Sequence, residues 1–337
     1  MRRYLGLLFL VLCGTAHAKD LAHDTANLVN IIFPGFAVSE QIYCATADQN
    51  HRSKYPQADY LLNIAAADNL VVFVHGMTPD QRSGSYTLDQ MASLWRYHVD
   101  LLEELKGRTS YCVVTWDSDY GFDDEPATLG RFLALLDTTL RDSRRPKGRT
   151  NVTLVGHGAG GNYIKYSYLY FLEARKEIKT FGLPLQAPNY KFHIVTLSTP
   201  HLGVEAKKID GGSDATAVYM TRLAGYLMGD VGALARPIST AKYRTRGAKQ
   251  LLEIESNEAL YQLNREFSKR YPKSEIFAVG SDRDKSVPSL SATPRFARGF
   301  GLDVDHQSFL QPYKSESLSH FLKVVYQGQH PEIGSKP

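Results

Sequence analysis

The chain is poor in cysteine, with three in 337 residues, too few for a disulfide-built scaffold. It has almost no excess of either charge: 39 Lys and Arg stand against 35 Asp and Glu, a formal +4. That excess is too small to argue for a nucleic-acid partner. No apolar run is long enough to span a bilayer. The longest near the start, Leu5–Leu12, covers only a fraction of the hydrocarbon thickness. No internal repeat is visible.

What is present begins with an export signal. Arg2 and Arg3 precede Leu5–Leu12, and Ala16-His17-Ala18 follows as a small-x-small cleavage site. Residues 1–18 are therefore expected to be a signal peptide, with the mature chain starting at Lys19. Cys13 raises a lipid anchor as an alternative, but Leu12 is larger than the small residue usual before a lipidated cysteine. Removal of two arginines and no acid leaves a formal +2. The expected destination is the periplasm or the exterior. Cys44 and Cys112 remain there, and an oxidising compartment permits a bridge between them. A buried free thiol at Cys112 is the alternative.

Continuous apolar runs at Leu70–His75, Tyr111–Trp116, Asn151–Val155, Phe192–Leu197 and Ile276–Val279 read as strands buried on both faces. Between and after them, Leu88–Leu105, Leu129–Leu140, Ala159–Lys179 and Ser317–Tyr326 read as helices. The alternation predicts an α/β fold, a mostly parallel sheet covered by helices on both faces. Gly203–Gly247 interrupts it before the fifth strand. Asp214–Met228 within that stretch has a helical apolar face and reads as a lid or cap.

The third strand runs into Gly156-His157-Gly158-Ala159-Gly160-Gly161. Two motifs fit. Gly156, Gly158 and Gly161 make the Gly-x-Gly-x-x-Gly of dinucleotide sites, which calls for an acid about 20 residues on, at the end of the next strand. Glu173 and Glu177 fall inside the helix, and the next strand ends in Ser198-Thr199-Pro200. The stretch also resembles the Gly-x-Ser-x-Gly nucleophile elbow, with Gly158 where serine should stand. His157 is no replacement, since its side chain should lie away from the oxyanion hole.

Four further motifs favour the elbow. Phe73-Val74-His75-Gly76-Met77 resembles the His-Gly loop whose following N–H enters an oxyanion hole. Ser198-Thr199-Pro200-His201-Leu202-Gly203 resembles a turn common in lipases, with His201 structural. Asp284, in Asp284-Lys285-Ser286-Val287-Pro288, resembles the turn that carries the triad acid, with Asp282 as the alternative. His306 resembles the base and is preferred to His320 in the final helix. Together they resemble the α/β-hydrolase superfamily, in particular bacterial-type lipases and carboxylesterases, across most of residues 69–325. Residues 19–68 match nothing recognised.

The resemblance implies one hydrolase domain over residues 19–337, with residues 203–247 as lid. It implies a catalytic set of Gly158 (the nucleophile position), Asp284 and His306, with oxyanion donors from Met77 and Ala159. It implies a lipid or small acyl-ester substrate, transient contact with a lipid surface, no cofactor and no metal. With no serine, hydrolysis is expected at background. A non-catalytic protein that binds acyl ligands, and less readily a dinucleotide-dependent oxidoreductase, are the alternatives. The acidic group Asp117, Asp119, Asp123, Asp124 and Glu125 and the basic stretch Arg141–Arg149 read as solvated loops.

Overall fold

A computed structural model describes residues 42–47, 67–77, 93–116, 118, 122, 129–130, 132–134, 136–137, 150–180, 190–204, 250–251 and 257–332. The expected signal peptide, the acidic and basic loops and nearly all of the expected lid lie outside the described residues.

The apolar runs pair as one sheet. Its strands are β1 (Ile42–Thr46), β2 (Asn69–Val74), β3 (Thr109–Val114), β4 (Thr150–His157), β5 (Tyr190–Leu197), β6 (Ile276–Gly280) and β7 (Arg298–Gly301). Among the described residues the sheet has seven strands, in the order β1-β3-β2-β4-β5-β6-β7. Only β1 runs antiparallel. This is the topology of the α/β-hydrolase fold that the motifs led us to expect.

Strand periodicity divides the core in two. Leu70, Val72 and Val74 join Cys112, Val152, Leu154, Ile194 and Ala278 on one face. There they pack against α2 (Gly160–Thr180) and α3 (Glu258–Arg270) through Tyr163, Ile164, Phe171, Leu263 and Phe267. Val71 and Phe73 join Val113, Val155, Val195 and Phe277 on the other face. They pack against α1 (Arg96–Glu103) and α4 (Glu316–Tyr326) through Val99, Leu102, Leu318, Phe321 and Val325. Each fully buried side chain of this size contributes about 1.5–3 kcal/mol. A charge on either strand face would therefore be costly.

Among the elements the sequence does not announce are β1, α3 and β7. β1 is a five-residue edge strand in the stretch that matched nothing, and its register sets Cys44 opposite Cys112, where the two form a disulfide. α3 has a clear start signal, since Asn257 accepts the Leu260 N–H at 3.2 Å. β7 alternates Arg and Gly with Phe and Gly, and lacks the apolar run by which strands were recognised.

The chain steps from β2 outward to β3 and then back past β2 to β4. Connections leave the carboxyl ends of β2 and β4 in opposite directions and open a crevice between them, the usual ligand position in such sheets. Gly76 and Gly158 face each other there: a Cβ built on Gly158 would lie 3.7 Å from Gly76 Cα.

Candidate active site

The turn after β4 is held by backbone. The Gly158 N–H donates to Leu197 O at 3.0 Å, and the Gly161 N–H donates to Gly158 O at 3.3 Å. Gly158 has φ of +53°, in the left-handed region where a side chain is strained. Space is not the obstacle at this position, because a Cβ would make only ordinary contacts. Gly156 differs: a Cβ there would stand 2.5 Å from Gly161 N, so only glycine lets α2 approach β4.

The Gly158 Cβ position points at His306. Its distance to His306 Nε2 is 4.0 Å, close enough for a serine hydroxyl at this point to reach hydrogen-bonding range. The other ring nitrogen, Nδ1, lies 2.7 Å from Asp284 Oδ2. The structure thus brings three sequence-predicted positions together, 158, 284 and 306. It leaves the two alternatives outside, since Asp282 and His320 are both exposed.

The Asp284 loop is built by its own carboxylate. Oδ1 accepts the N–H groups of Ser286 at 2.8 Å and Val287 at 3.1 Å. Burial by itself would raise this carboxyl. The His306 charge and hydrogen bonds from His306, Ser198 and Val287 outweigh burial only together, and the net effect holds Asp284 below the usual carboxylate range. The His306 loop follows β7. Ser281 Oγ accepts both the Arg283 N–H and the Val304 N–H, joining the loop of the acid to the loop of the histidine.

Ser198 is a member of this cluster that the sequence reading passed over. It is fully buried at the end of β5, and its hydroxyl donates to Asp284 Oδ2 while lying 2.8 Å from His306 Nδ1. Among the described residues it is the one non-glycine with positive φ, at +49°. Strain of this kind, about 1–3 kcal/mol, persists only where its surroundings enforce it. No local signal distinguishes Ser198 from any serine before Thr-Pro.

Buried histidines brace the site. His157 packs against His306 with the rings tilted by 55° and their centroids 4.5 Å apart, and its Nε2 lies 3.3 Å from His306 O. Burial, then the His306 charge, push its pKa well down, so it is neutral at pH 7. His75 Nδ1 meets Gly76 O at 2.7 Å, while its Nε2 accepts the Trp116 N–H at 3.2 Å. This fixes the loop that carries Met77, which is half-buried against the core. His98 on α1 joins Tyr326 OH at 2.6 Å to Phe309 O at 2.8 Å, directly behind the His306 loop. Burial lowers both His75 and His98 to about 4.

His201 also sits in a buried network. It touches Thr196 Oγ1 at 2.9 Å and Lys165 Nζ at 3.0 Å. Burial pulls the Lys165 pKa well down. Ala159 is buried at the head of α2, where first-turn N–H groups lack intrahelical partners.

No protein-family model matches this chain, and no curated protein matches it. Solved structures similar to it include a carboxylesterase of the thaumarchaeon Nitrososphaera gargenis, at 14% identity and a TM-score of 0.43 over 85% of this chain and 94% of that one. Est1E from Butyrivibrio proteoclasticus is similar at 14% identity and a TM-score of 0.38, over 85% and 93%. Esterase B from Lactobacillus Rhamnosis is similar at 13% identity and a TM-score of 0.43, over 91% and 92%. Likenesses this remote carry no activity across.

Proposed function

We propose that this chain is an exported lipase- or esterase-type scaffold for carboxylic esters, silent as it stands because Gly158 occupies the nucleophile position. One observation carries the reading: the Cβ direction of residue 158 ends 4.0 Å from Nε2 of a histidine whose Nδ1 is 2.7 Å from a buried carboxylate. That is the relation a nucleophile, a base and an orienting acid require.

With serine at 158, the hydroxyl attacks the ester carbonyl and passes its proton to His306 Nε2. His306 returns that proton to the departing alkoxide, leaving an acyl-serine. Water then repeats the sequence, and the acyl group leaves as the carboxylic acid. Asp284 holds the His306 ring and favours its cation. The N–H groups of Met77 and Ala159 hold the oxyanion. With glycine at 158, the oxyanion hole and binding leave at most ~10³–10⁴-fold acceleration over water.

Gly158 itself favours a second reading, a non-catalytic protein that retains acyl ligands. Export to the periplasm or the exterior, a lid over residues 203–247 and transient contact with a lipid surface belong to the same proposal. The Cys44–Cys112 disulfide supports an oxidising destination. The test compares p-nitrophenyl ester hydrolysis by this chain and by Gly158→Ser across acyl lengths. Turnover in the serine form alone supports the enzyme scaffold. Acyl-ligand binding with no turnover in either form supports the second reading.

A further inference from the structure

Towards the amino ends of β5 and β6, three residues from distant parts of the chain converge. His193 is in β5, Glu275 immediately precedes β6, and His330 follows α4. His193 Nδ1 lies 2.9 Å from Glu275 Oε2, and His330 Nε2 lies 3.6 Å from the same oxygen. One ligating atom from each residue falls within 4.8 Å of the other two. We propose that His193, Glu275 and His330 form a binding site for a zinc-class divalent transition-metal ion, one that clips the C-terminal segment to the start of the sheet.

One contact in this cluster is unmet. His193 Nδ1 and Glu275 Oε2 are close and buried, yet neither makes a hydrogen bond. Their approach is out of line for an N–H to join them. A ring nitrogen and a carboxylate oxygen, each buried with no hydrogen bond to occupy it, thus stand side by side, with the His330 nitrogen within 4.8 Å of both. Two acceptors held together in this way call for a cation between them.

A cation already waits at the mouth. Lys191 Nζ lies 3.1 Å from His330 Nε2 and 3.8 Å from Glu275 Oε2. Its side chain is 36% exposed, so it can rotate into solvent and give way to an ion. Arg298 Nη1, 2.9 Å from His330 Nδ1, is the other positive group facing the cluster, and the Phe277 ring packs against both histidines. Two imidazoles and one carboxylate suit zinc and its neighbours rather than calcium or magnesium, which prefer oxygen alone. Bonds of about 2.0–2.1 Å in a tetrahedron hold ligand atoms about 3.3 Å apart. The observed 2.9 Å and 3.6 Å bracket that value. The fourth position is left for water.

The test uses the full chain, without a histidine tag, stripped with chelator and titrated with Zn²⁺. Calorimetry and elemental analysis should give about one ion per chain, and Tm should rise with zinc concentration. His330→Ala should weaken uptake at least about tenfold, as expected when a ligand of such a site is lost. His193→Ala should do the same, and Lys191→Met should tighten binding by removing the competing cation. If His193→Ala fails to fold, His330→Ala, at an exposed position, and Lys191→Met still decide. Absence of stoichiometric uptake, or uptake that none of the three variants alters, overturns the proposal.

Discussion

The two edges of the sheet each bring a histidine against a carboxylate, at 2.7 Å on the carboxyl edge and 2.9 Å on the amino edge. The residue types match, but the surroundings do not. Asp284 also accepts two backbone N–H groups and the Ser198 hydroxyl, and its carboxyl is held low. His306 turns its remaining nitrogen to the crevice. His193 faces Glu275 without a hydrogen bond and is held neutral by burial. A carboxylate near an imidazole is therefore not yet a catalytic pair. Alignment and the supply of further donors decide whether the pair orients a base or awaits a cation.

The sharpest way to break this contrast is Gly158→Ser. On the proposed function, in which only the nucleophile is missing, turnover of p-nitrophenyl esters should rise at least about 10³-fold above that of the glycine form. The same change should cost roughly 1–3 kcal/mol, measured by chemical denaturation, since serine must accept the +53° backbone. Activity already present in the glycine form and abolished by His306→Ala would mean a different nucleophile. Within the serine form, Asp284→Asn should remove about 10⁴-fold of kcat by losing the acid that orients His306. His330→Ala should leave kcat within about twofold, for it lies on the other edge.

The next effect concerns stability and pH. His75 and His98 fall from 6.5 to about 4 on folding. The unfolded chain therefore binds more protons between those values. Their contribution is fully present above pH 6.5 and is lost as pH falls towards 4, by on the order of a few kcal/mol per histidine. Denaturation midpoints at pH 7 and 4.5 should show the loss. His98→Asn should flatten the slope, and an unchanged slope would contradict the assignment.

The smallest effect expected is at Ser198. In the Gly158→Ser form, Ser198→Ala should lower kcat about tenfold with KM nearly constant, and should move the acidic limb of the pH profile, because one hydrogen bond to Asp284 is lost. A merely structural serine would change stability and leave the pH profile in place.

Much of this was written in local pattern. Five apolar runs became strands with ends shifted by a residue or two, and the Gly156–Gly161 turn lay between strand and helix as its motif demands. Asp284 and His306 could be singled out because each sits in a loop of distinctive company. β7 and Ser198 could not. The strand lacks an apolar run, and the serine has the same neighbours as any other that precedes Thr-Pro.

Sequence alone determined the alternation of strands and helices, the glycine at 158 and the order of the site motifs, because these depend on residues within a few positions of one another. Only the tertiary structure decided that Ser198 reaches Asp284, that Cys44 meets Cys112, and that His193, Glu275 and His330 share one corner. Those meetings follow from strand order and register. Both are set by pairing between segments far apart in the chain, and no short stretch records them.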